Sequence, residues 1–171
     1  MSAVSYRSAV DADAAVLAAF ARDTWLATFG HLPYPDDDLR NYLTEKYGEA
    51  VQRAEIADAN VRYQLALRDE AIVGYCMMGE LEMPVDDDAG LELHRLYVDE
   101  SVKGAGVAAT LMDDCIAWAR GRGARALYLS VWENNLRAQR FYRRYGFEHC
   151  GEWKFMVGNH ADRDLIFRMA L

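Results

Sequence analysis

The residues with the plainest chemical potential are Lys103-Gly104-Ala105-Gly106-Val107-Ala108. They follow the alternating stretch Leu91–Val98 and a short acidic turn, and they open an apolar-periodic segment. A glycine loop that runs into a helix leaves backbone N–H groups without partners, and the helix dipole adds positive potential there. Such a loop binds anions, phosphate above all, and its glycines let the backbone come close. Gly104-x-Gly106-x-x-Ala109 also fits a dinucleotide fingerprint formally, but that fingerprint belongs in a tight first strand–helix turn of a repeated βαβ series. Here five residues separate Val98 from Gly104, and only one crossover follows. No Gly-Lys-Ser/Thr follows the glycines, which removes a Walker A loop.

A second constellation runs from Val131 to Phe147, VWENNLRAQRFYRRYGF. Asn135 stands at a helix start, Ala138, Phe141 and Tyr145 share one helical stripe, and Tyr142 lies beside it. Residue types alone leave two readings open: a capped amphipathic helix with core aromatics, or a helix that presents an amide and a phenol to a ligand. Strand alternation places Glu92, His94, Leu96 and Val98 together on one face of Leu91–Val98.

These segments need a frame. The pattern predicts a strand over Val4–Ala9, then a helix over Ala14–Thr28 capped by Asp11, with Val16, Leu17, Phe20, Trp25 and Phe29 apolar. Pro33 and Pro35 break it, and a second helical region runs from Asp36 to about Asp58, interrupted near Gly48. Val61–Leu67 and Ala71–Met78 form a hairpin across Arg68-Asp69-Glu70. A loop over Met83–Gly90 holds Asp86-Asp87-Asp88 and precedes the central strand Leu91–Val98. Val107–Arg120 is a helix that turns Val107, Leu111, Cys115 and Trp118 or Ala119 inward and ends at Gly121 and Gly123. Ala126–Val131 is continuous and apolar, as a buried parallel strand is. A helix over Asn135–Tyr145 stops at Gly146, and Phe147–Met156 and Asp164–Ala170 are the last strands. The order predicts a mixed α/β domain of the α+β kind: a mostly antiparallel sheet, flanking helices and one central βαβ crossover.

Composition narrows the class. The 171 residues are read as a single domain, 1–171, and 52% hydrophobic content is enough for a substantial core. No apolar run reaches the roughly 18 residues of a membrane helix, and the first residues do not read as a secretory signal. Cys76, Cys115 and Cys150 are scattered in apolar contexts, which suggests reduced core thiols and a cytoplasmic protein. No Cys/His cluster has metal-ligand spacing, so no metal is expected. The net charge of −8 disfavours nucleic acid as a partner. It is uneven: residues 1–92 hold 7 Lys/Arg against 18 Asp/Glu, and residues 93–171 hold 12 against 9. A polyanionic cofactor on the glycine loop and a cationic second substrate on the acidic part would fit, as would a merely solvated acidic surface.

Taken together, the two constellations resemble the GCN5-related N-acetyltransferase family. Its first motif has the form Gln/Arg-x-x-Gly-x-Gly/Ala after a strand, and its second the form Asn-x-x-Ala-x-x-Phe-Tyr-x-x-x-Gly-Phe. This chain has Lys103 through Ala108 for the first and an unbroken Asn135–Phe147 match for the second. Lys103 stands where Gln or Arg is usual and can meet phosphate as a point charge, without a bidentate fork. Ala108 replaces a frequent Gly. A narrower likeness, in Leu91–Val98, Ser130–Glu133 and Phe155-Met156-Val157-Gly158…Asp164-Leu165, is to the bacterial PaiA-type spermidine/spermine acetyltransferases.

The resemblance implies roles. Coenzyme A, carried as acetyl-CoA, would set its pyrophosphate on the loop Gly104, Ala105, Gly106, Val107, Ala108 and Ala109. Its pantetheine would pair like an added strand with Leu96, Tyr97 and Val98, and an N–H near Val98 would polarise the acetyl carbonyl. Asn135 would contact the cofactor arm, and Tyr142 would protonate the departing thiolate. Glu92 and His94 are then candidate bases for an ammonium acceptor, acting through water; the alternative for His94 is a hydrogen-bonded structural role. Trp25, Phe29, His31 and Tyr34 could wall the acceptor site, with core packing favoured for Trp25 and Phe29. Asp36–Asp38 and Asp86–Asp88 read as solvated loops, with substrate contact as the alternative. The expected reaction is direct transfer to a primary amine, a polyamine favoured, without an acetyl-cysteine. A protein lysine or N-terminal acceptor, a noncatalytic acyl-CoA sensor and a nicotinamide dehydrogenase remain as alternatives, and a homodimer is left open.

Overall fold

A computed structural model describes residues 3–171. Its strands form one seven-stranded sheet in the order β1-β2-β3-β4-β5-β7-β6. The strands are β1 Ser5–Ser8, β2 Arg62–Arg68, β3 Ala71–Glu80, β4 Gly90–Val98, β5 Ala126–Trp132, β6 Glu148–Val157 and β7 His160–Ala170. The helices are α1 Ala14–Phe29, α2 Asp36–Tyr47, α3 Glu49–Ala57, α4 Val107–Gly121 and α5 Leu136–Arg144. Every neighbouring pair is antiparallel except β4 and β5, which α4 joins. The expected βαβ crossover therefore lies where the sequence puts it. The β2–β3 hairpin closes on Asp69 and Glu70, both left-handed at φ 51° and 64°, which suits the right-handed twist of the strands.

Two apolar layers hold the sheet. On one face α4 sends Val107, Leu111, Met112, Cys115 and Ala119 against Cys76, Met78, Leu93, Leu127 and Phe167. Of the two alternatives at the end of that stripe, Ala119 is the buried one. On the other face α1 and α2 bring Leu17, Ala21, Trp25 and Tyr42 against Leu65, Tyr75 and Met77. Trp25 stacks obliquely on Phe29, Tyr34, Tyr42 and Tyr47, a core role.

Several local expectations change. Asp11 does not cap α1; it pairs with Arg53, and Asp13 accepts the Val10 N–H at 2.8 Å. Val16 is exposed, and Ala14, Ala18 and Ala21 line the buried stripe instead. Asp36–Asp38 form the first turn of α2, where their charge complements the helix dipole, rather than a loop. β7 begins at His160, four residues early, because it pairs with β6 back to Val157. Cys150 is exposed, unlike Cys76 and Cys115. The stretch Gly90–Val98 does not keep strict alternation. Met77 pairs with Arg95 and Met78 with Leu93, so His94 is the extra residue of a β-bulge. Leu96 and Val98 consequently join Leu91 and Leu93 on the α4 side, and Glu92 is not on their face.

The sheet also splays. β4 and β5 pair only at Gly90–Ala126, Leu91–Leu127 and Glu92–Tyr128. Beyond that the β4 edge from Leu93 to Val98 has no strand beside it, because β5 pairs on its other side with β7 along Ala126–Trp132.

Candidate functional site

A cleft of about 920 Å³ opens where the strands part. Its floor is the free edge of β4 at Leu96, Tyr97 and Val98; one wall is the loop from Asp99 into α4, and another is α5. Phe20, Asp23, Thr24, Ala27 and Thr28 of α1 line the rest.

The loop is built by short-range bonds. Asp99 caps a single 3₁₀ turn by accepting the Ser101 N–H at 2.8 Å, and the Lys103 amide donates to the Glu100 carbonyl. The Lys103 side chain pairs with Glu100. Gly104 and Gly106 take φ of 84° and 82°, which only glycine adopts without strain. A Cβ there would meet nothing within 4 Å, so backbone conformation, not crowding, selects the glycines. Gly106 starts α4, and the first helical bond runs from Thr110 to the Gly106 carbonyl. The amides of Gly104, Gly106, Val107, Ala108 and Ala109 therefore face the cleft end without a backbone acceptor, as helix N-terminal donors do. Ala105 differs from the expected set: its amide is committed to the Val102 carbonyl at 3.1 Å.

Helix α5 closes the opposite wall. Asn135 caps it by accepting the Ala138 N–H on Oδ1 at 3.2 Å, which leaves its amide NH₂ for the cleft. At the other end Gly146 is left-handed at φ 90°, the Phe147 amide returns to the Tyr142 carbonyl, and Phe147 packs on the Tyr142 ring. Tyr145 donates from its hydroxyl to the Ala109 carbonyl at 3.1 Å, pinning α5 to the start of α4. Tyr142 is buried yet lines the cleft, and its hydroxyl has no hydrogen-bond partner among the described residues. Burial, then the Cys115 and Cys76 thiols, push its pKa up, so the phenol stays protonated across the physiological range.

Sequence reading missed two features here. Arg137, Arg140 and Arg144 also line the cleft, and no carboxylate pairs with them among the described residues. Their i, i+3, i+7 spacing was a readable signal for one helical face. Gln139 is buried and donates to the carbonyls of Trp132 and Glu133, which fixes the turn from β5 into α5. Free amides, three unpaired guanidinium groups and an open strand edge fit a long phosphate-bearing molecule such as coenzyme A.

Glu92 and His94 lie outside this cleft lining. They are bound to one another, with His94 Nδ1 3.2 Å from Glu92 Oε1. Glu92 Oε2 accepts the amides of Glu82 and Met83, tethering the loop that precedes β4. His94 Nε2 stands 3.0 Å from the Glu80 carbonyl, which can only accept, and Nδ1 faces a carboxylate, which can only accept. Both contacts therefore suit an imidazolium. Burial pulls the His94 pKa down, but the Glu92 hydrogen bond and charge outweigh it and the net shift is upward. In that state His94 has no lone pair to offer.

The sheet face that carries Glu92 and Tyr128 continues past the splay. Ser130 and Trp132 follow on β5, Asp164 and Asp162 on β7, and Trp153 on β6. Phe29 and His31 each contact the Trp132 ring at 6.1 Å, and Tyr34 donates to Asp162 at 2.5 Å. Of the expected acceptor walls, His31 and Tyr34 reach this face, together with Phe29. Asp87 accepts from the Tyr128 hydroxyl at 2.8 Å, whereas Asp86 and Asp88 are exposed.

Comparison with known proteins agrees with this architecture. The sequence pattern of the Acetyltransferase (GNAT) family matches residues 19–147. An uncharacterised N-acetyltransferase of Mycobacterium tuberculosis is 39% identical over 101 residues, 59% of this chain and 62% of that protein. The match thus spans under two thirds of that relative's length. A spermine/spermidine N(1)-acetyltransferase of Bacillus subtilis is 34% identical over 87 residues, 49% of this chain and 57% of the other. A PaiA N-acetyltransferase from Thermoplasma acidophilum, crystallised with coenzyme A, superposes with a TM-score of 0.80 at 19% identity, covering 99% of each chain. The splayed sheet, the glycine loop and these matches define an acyl-group transferase fold, and the chain belongs to the GNAT family of acetyltransferases.

Proposed function

We propose that this chain moves the acetyl group of acetyl-CoA to a primary amine, within one ternary complex. The observation that carries the reading is the parting of β4 from β5 after Glu92 and Tyr128, which leaves a strand edge, free helix amides and a buried phenol in one cleft. The amides of Gly104, Gly106 and Val107–Ala109 hold the pyrophosphate, with Lys103 free to exchange Glu100 for it. The edge Leu96–Val98 pairs with the pantetheine, and Asn135 steadies the arm. An N–H near Val98 polarises the thioester carbonyl. Tyr142, protonated and unpartnered, gives its proton to the leaving thiolate. Glu92 and His94, satisfied by each other, position the 81–90 loop.

Direct transfer is supported by the cysteines. Burial pushes the Cys76 thiol up to about 12 and also raises the Cys115 thiol well above its usual range, and neither lines the cleft. The acceptor is a cationic small molecule, with a polyamine favoured by the acidic balance of residues 1–92 and by the spermine/spermidine acetyltransferase of Bacillus subtilis among the relatives. A thiol-release assay with acetyl-CoA against polyamines, amino acids, aminoglycosides and lysine peptides tests the reading. Turnover of spermidine or spermine is expected. Turnover of a neutral or anionic amine alone would remove the polyamine, and acetyl-CoA binding with no turnover of any amine would make the chain a sensor.

A further inference from the structure

Asp164 stands in the middle of a row that three strands build. Trp132 of β5 and Trp153 of β6 are each directly cross-strand from it, so the carboxylate lies between two indoles on one sheet face. Only 7% of Asp164 is exposed. Its Oδ2 accepts from the Ser130 hydroxyl at 3.0 Å, and Oδ1 accepts no hydrogen bond among the described residues. Among the described residues no arginine, lysine or backbone amide meets it there. Other buried or half-buried carboxylates are compensated: Glu55 by Arg95, Glu92 by His94 and two amides, Asp162 by Tyr34 and His160. A buried carboxylate without a cation is costly, and sites of this kind are completed by one. The buried Trp153 indole N–H beside it makes no hydrogen bond of good geometry among the described residues, yet as a weak donor to the carboxylate it lowers the Asp164 pKa. Indole faces favour a cation in addition.

The row also lies at the right level. Glu92 and Tyr128 are the last bonded pair between β4 and β5. Ser130 and Trp132 lie two and four residues farther along β5, where the β4 edge has opened. Ser130, Trp132 and Asp164 lie outside the lining of the cleft itself, on the sheet face beside that opening.

From this geometry, and resting on the acetyl-transfer reading above, we propose that Asp164 binds the reacting ammonium of the acceptor and takes its proton. The proton passes from R–NH₃⁺ to the carboxylate. The freed nitrogen pair forms a bond to the acetyl carbon, the carbon–sulfur bond breaks, and the thiolate leaves as a thiol with the proton from Tyr142. The nitrogen's second proton restores the phenol, and Asp164 returns its proton to solvent. The groups around Asp164 are Ser130 from β5, Trp153 from β6, Asp162 from β7, which His160 meets in turn, and Tyr34 from the α1–α2 connection. Burial raises the Asp164 pKa to about 6, Asp162 adds to the rise, and Ser130 and Trp153 oppose it. Such a carboxylate is ionised at neutral pH and is a stronger base than an ordinary one.

The test uses the full chain and the primary amine that wild type acetylates fastest, spermidine tried first. If wild type acetylates no amine while binding acetyl-CoA, the acetyl-transfer reading fails, and this proposal with it. Given turnover, Asp164→Asn keeps an acceptor for Ser130 and should melt above wild type at pH 7.5, because a disfavoured buried charge is gone. It should bind acetyl-CoA within threefold of wild type and lose about 10²–10⁴ in kcat/KM at pH 7. The loss should shrink at least tenfold with 2,2,2-trifluoroethylamine, which is uncharged at pH 8. A kcat/KM within threefold of wild type from pH 6 to 9, or an equal loss with both amines, would overturn the proposal. Ser130→Ala gives a second reading should Asp164→Asn fold poorly. Removing a bond that lowers the Asp164 pKa should move the acidic limb of kcat/KM to higher pH, and an unmoved limb would count equally against the role.

Discussion

Tyr142 shows how burial and chemistry meet at one residue. Its ring packs on Phe141 and Phe147, while its hydroxyl opens on the cleft without a partner among the described residues. Tyr142→Phe removes one oxygen and leaves the packing intact. Under the proposed role kcat should fall by roughly 10–10³, within reach of general acid catalysis, with the affinity for acetyl-CoA little changed. Steady-state kinetics and calorimetry separate the two effects, and an unchanged kcat would take Tyr142 out of the mechanism. His94 offers a different residue-level test. Its pKa is raised in the folded chain, so its bond to Glu92 stabilises the fold fully below the unfolded histidine value and fades as pH rises through the raised one. The melting-temperature difference between wild type and His94→Gln should therefore be largest near pH 6 and should shrink toward pH 9. A difference that grows with pH would contradict an imidazolium. Asn135 and Tyr142 were legible in the sequence because a short helix fixes their neighbours by local spacing. The opposite faces taken by Glu92 and Leu96 were not, since the bulge at His94 depends on how β3 pairs with β4. Asp164 was also opaque: its isolation is made by Ser130, Trp132 and Trp153, on two other strands.

At the scale of elements, the reading succeeded where one segment carries its own stop and start. Gly48 divides α2 from α3, Gly106 opens α4 and Gly146 ends α5, each as the sequence suggests. The crossover β4-α4-β5 followed from element order. The early start of β7 did not, because pairing with β6 lengthens it through polar residues such as His160 and Asp162. The α4 entrance permits a sharp test. Gly106 is left-handed, and a side chain there costs about 1–2 kcal/mol of backbone strain while touching nothing. Gly106→Ala should weaken acetyl-CoA binding by about tenfold or more, since the strained turn re-aims the amides of Gly106 and Val107. Calorimetry measures it. Ala108→Gly lies inside the first turn of α4 and should change affinity far less, so equal effects at both positions would refute the backbone argument.

Over the whole molecule, charge is divided by task. The acidic part, residues 1–92, supplies α1–α3 and the first strands, whereas α4 and α5 belong to the less acidic remainder. Arg137, Arg140 and Arg144 face the cleft where a polyanionic cofactor would sit. On the acceptor side Asp38 accepts the Asn159 N–H at 3.1 Å, which brings the acidic first turn of α2 against the β6–β7 turn. Asp36 and Asp37 therefore stand exposed near the strand that carries Asp162 and Asp164. Under the proposed reading two attractions of opposite sign would act on the two substrates, and salt would screen both, with a Debye length near 10 Å at 0.1 M. They separate experimentally when one substrate is saturating. With acetyl-CoA saturating, the KM for spermidine should rise several-fold between about 0.05 and 0.5 M NaCl, while kcat stays nearly constant. Replacing Asp36 and Asp37 together by Asn should flatten that rise without lowering kcat, because neither residue touches the reacting atoms. A KM that ignores salt, or a double variant with the full salt response, would show that the acidic surface keeps the protein soluble and does not gather the acceptor.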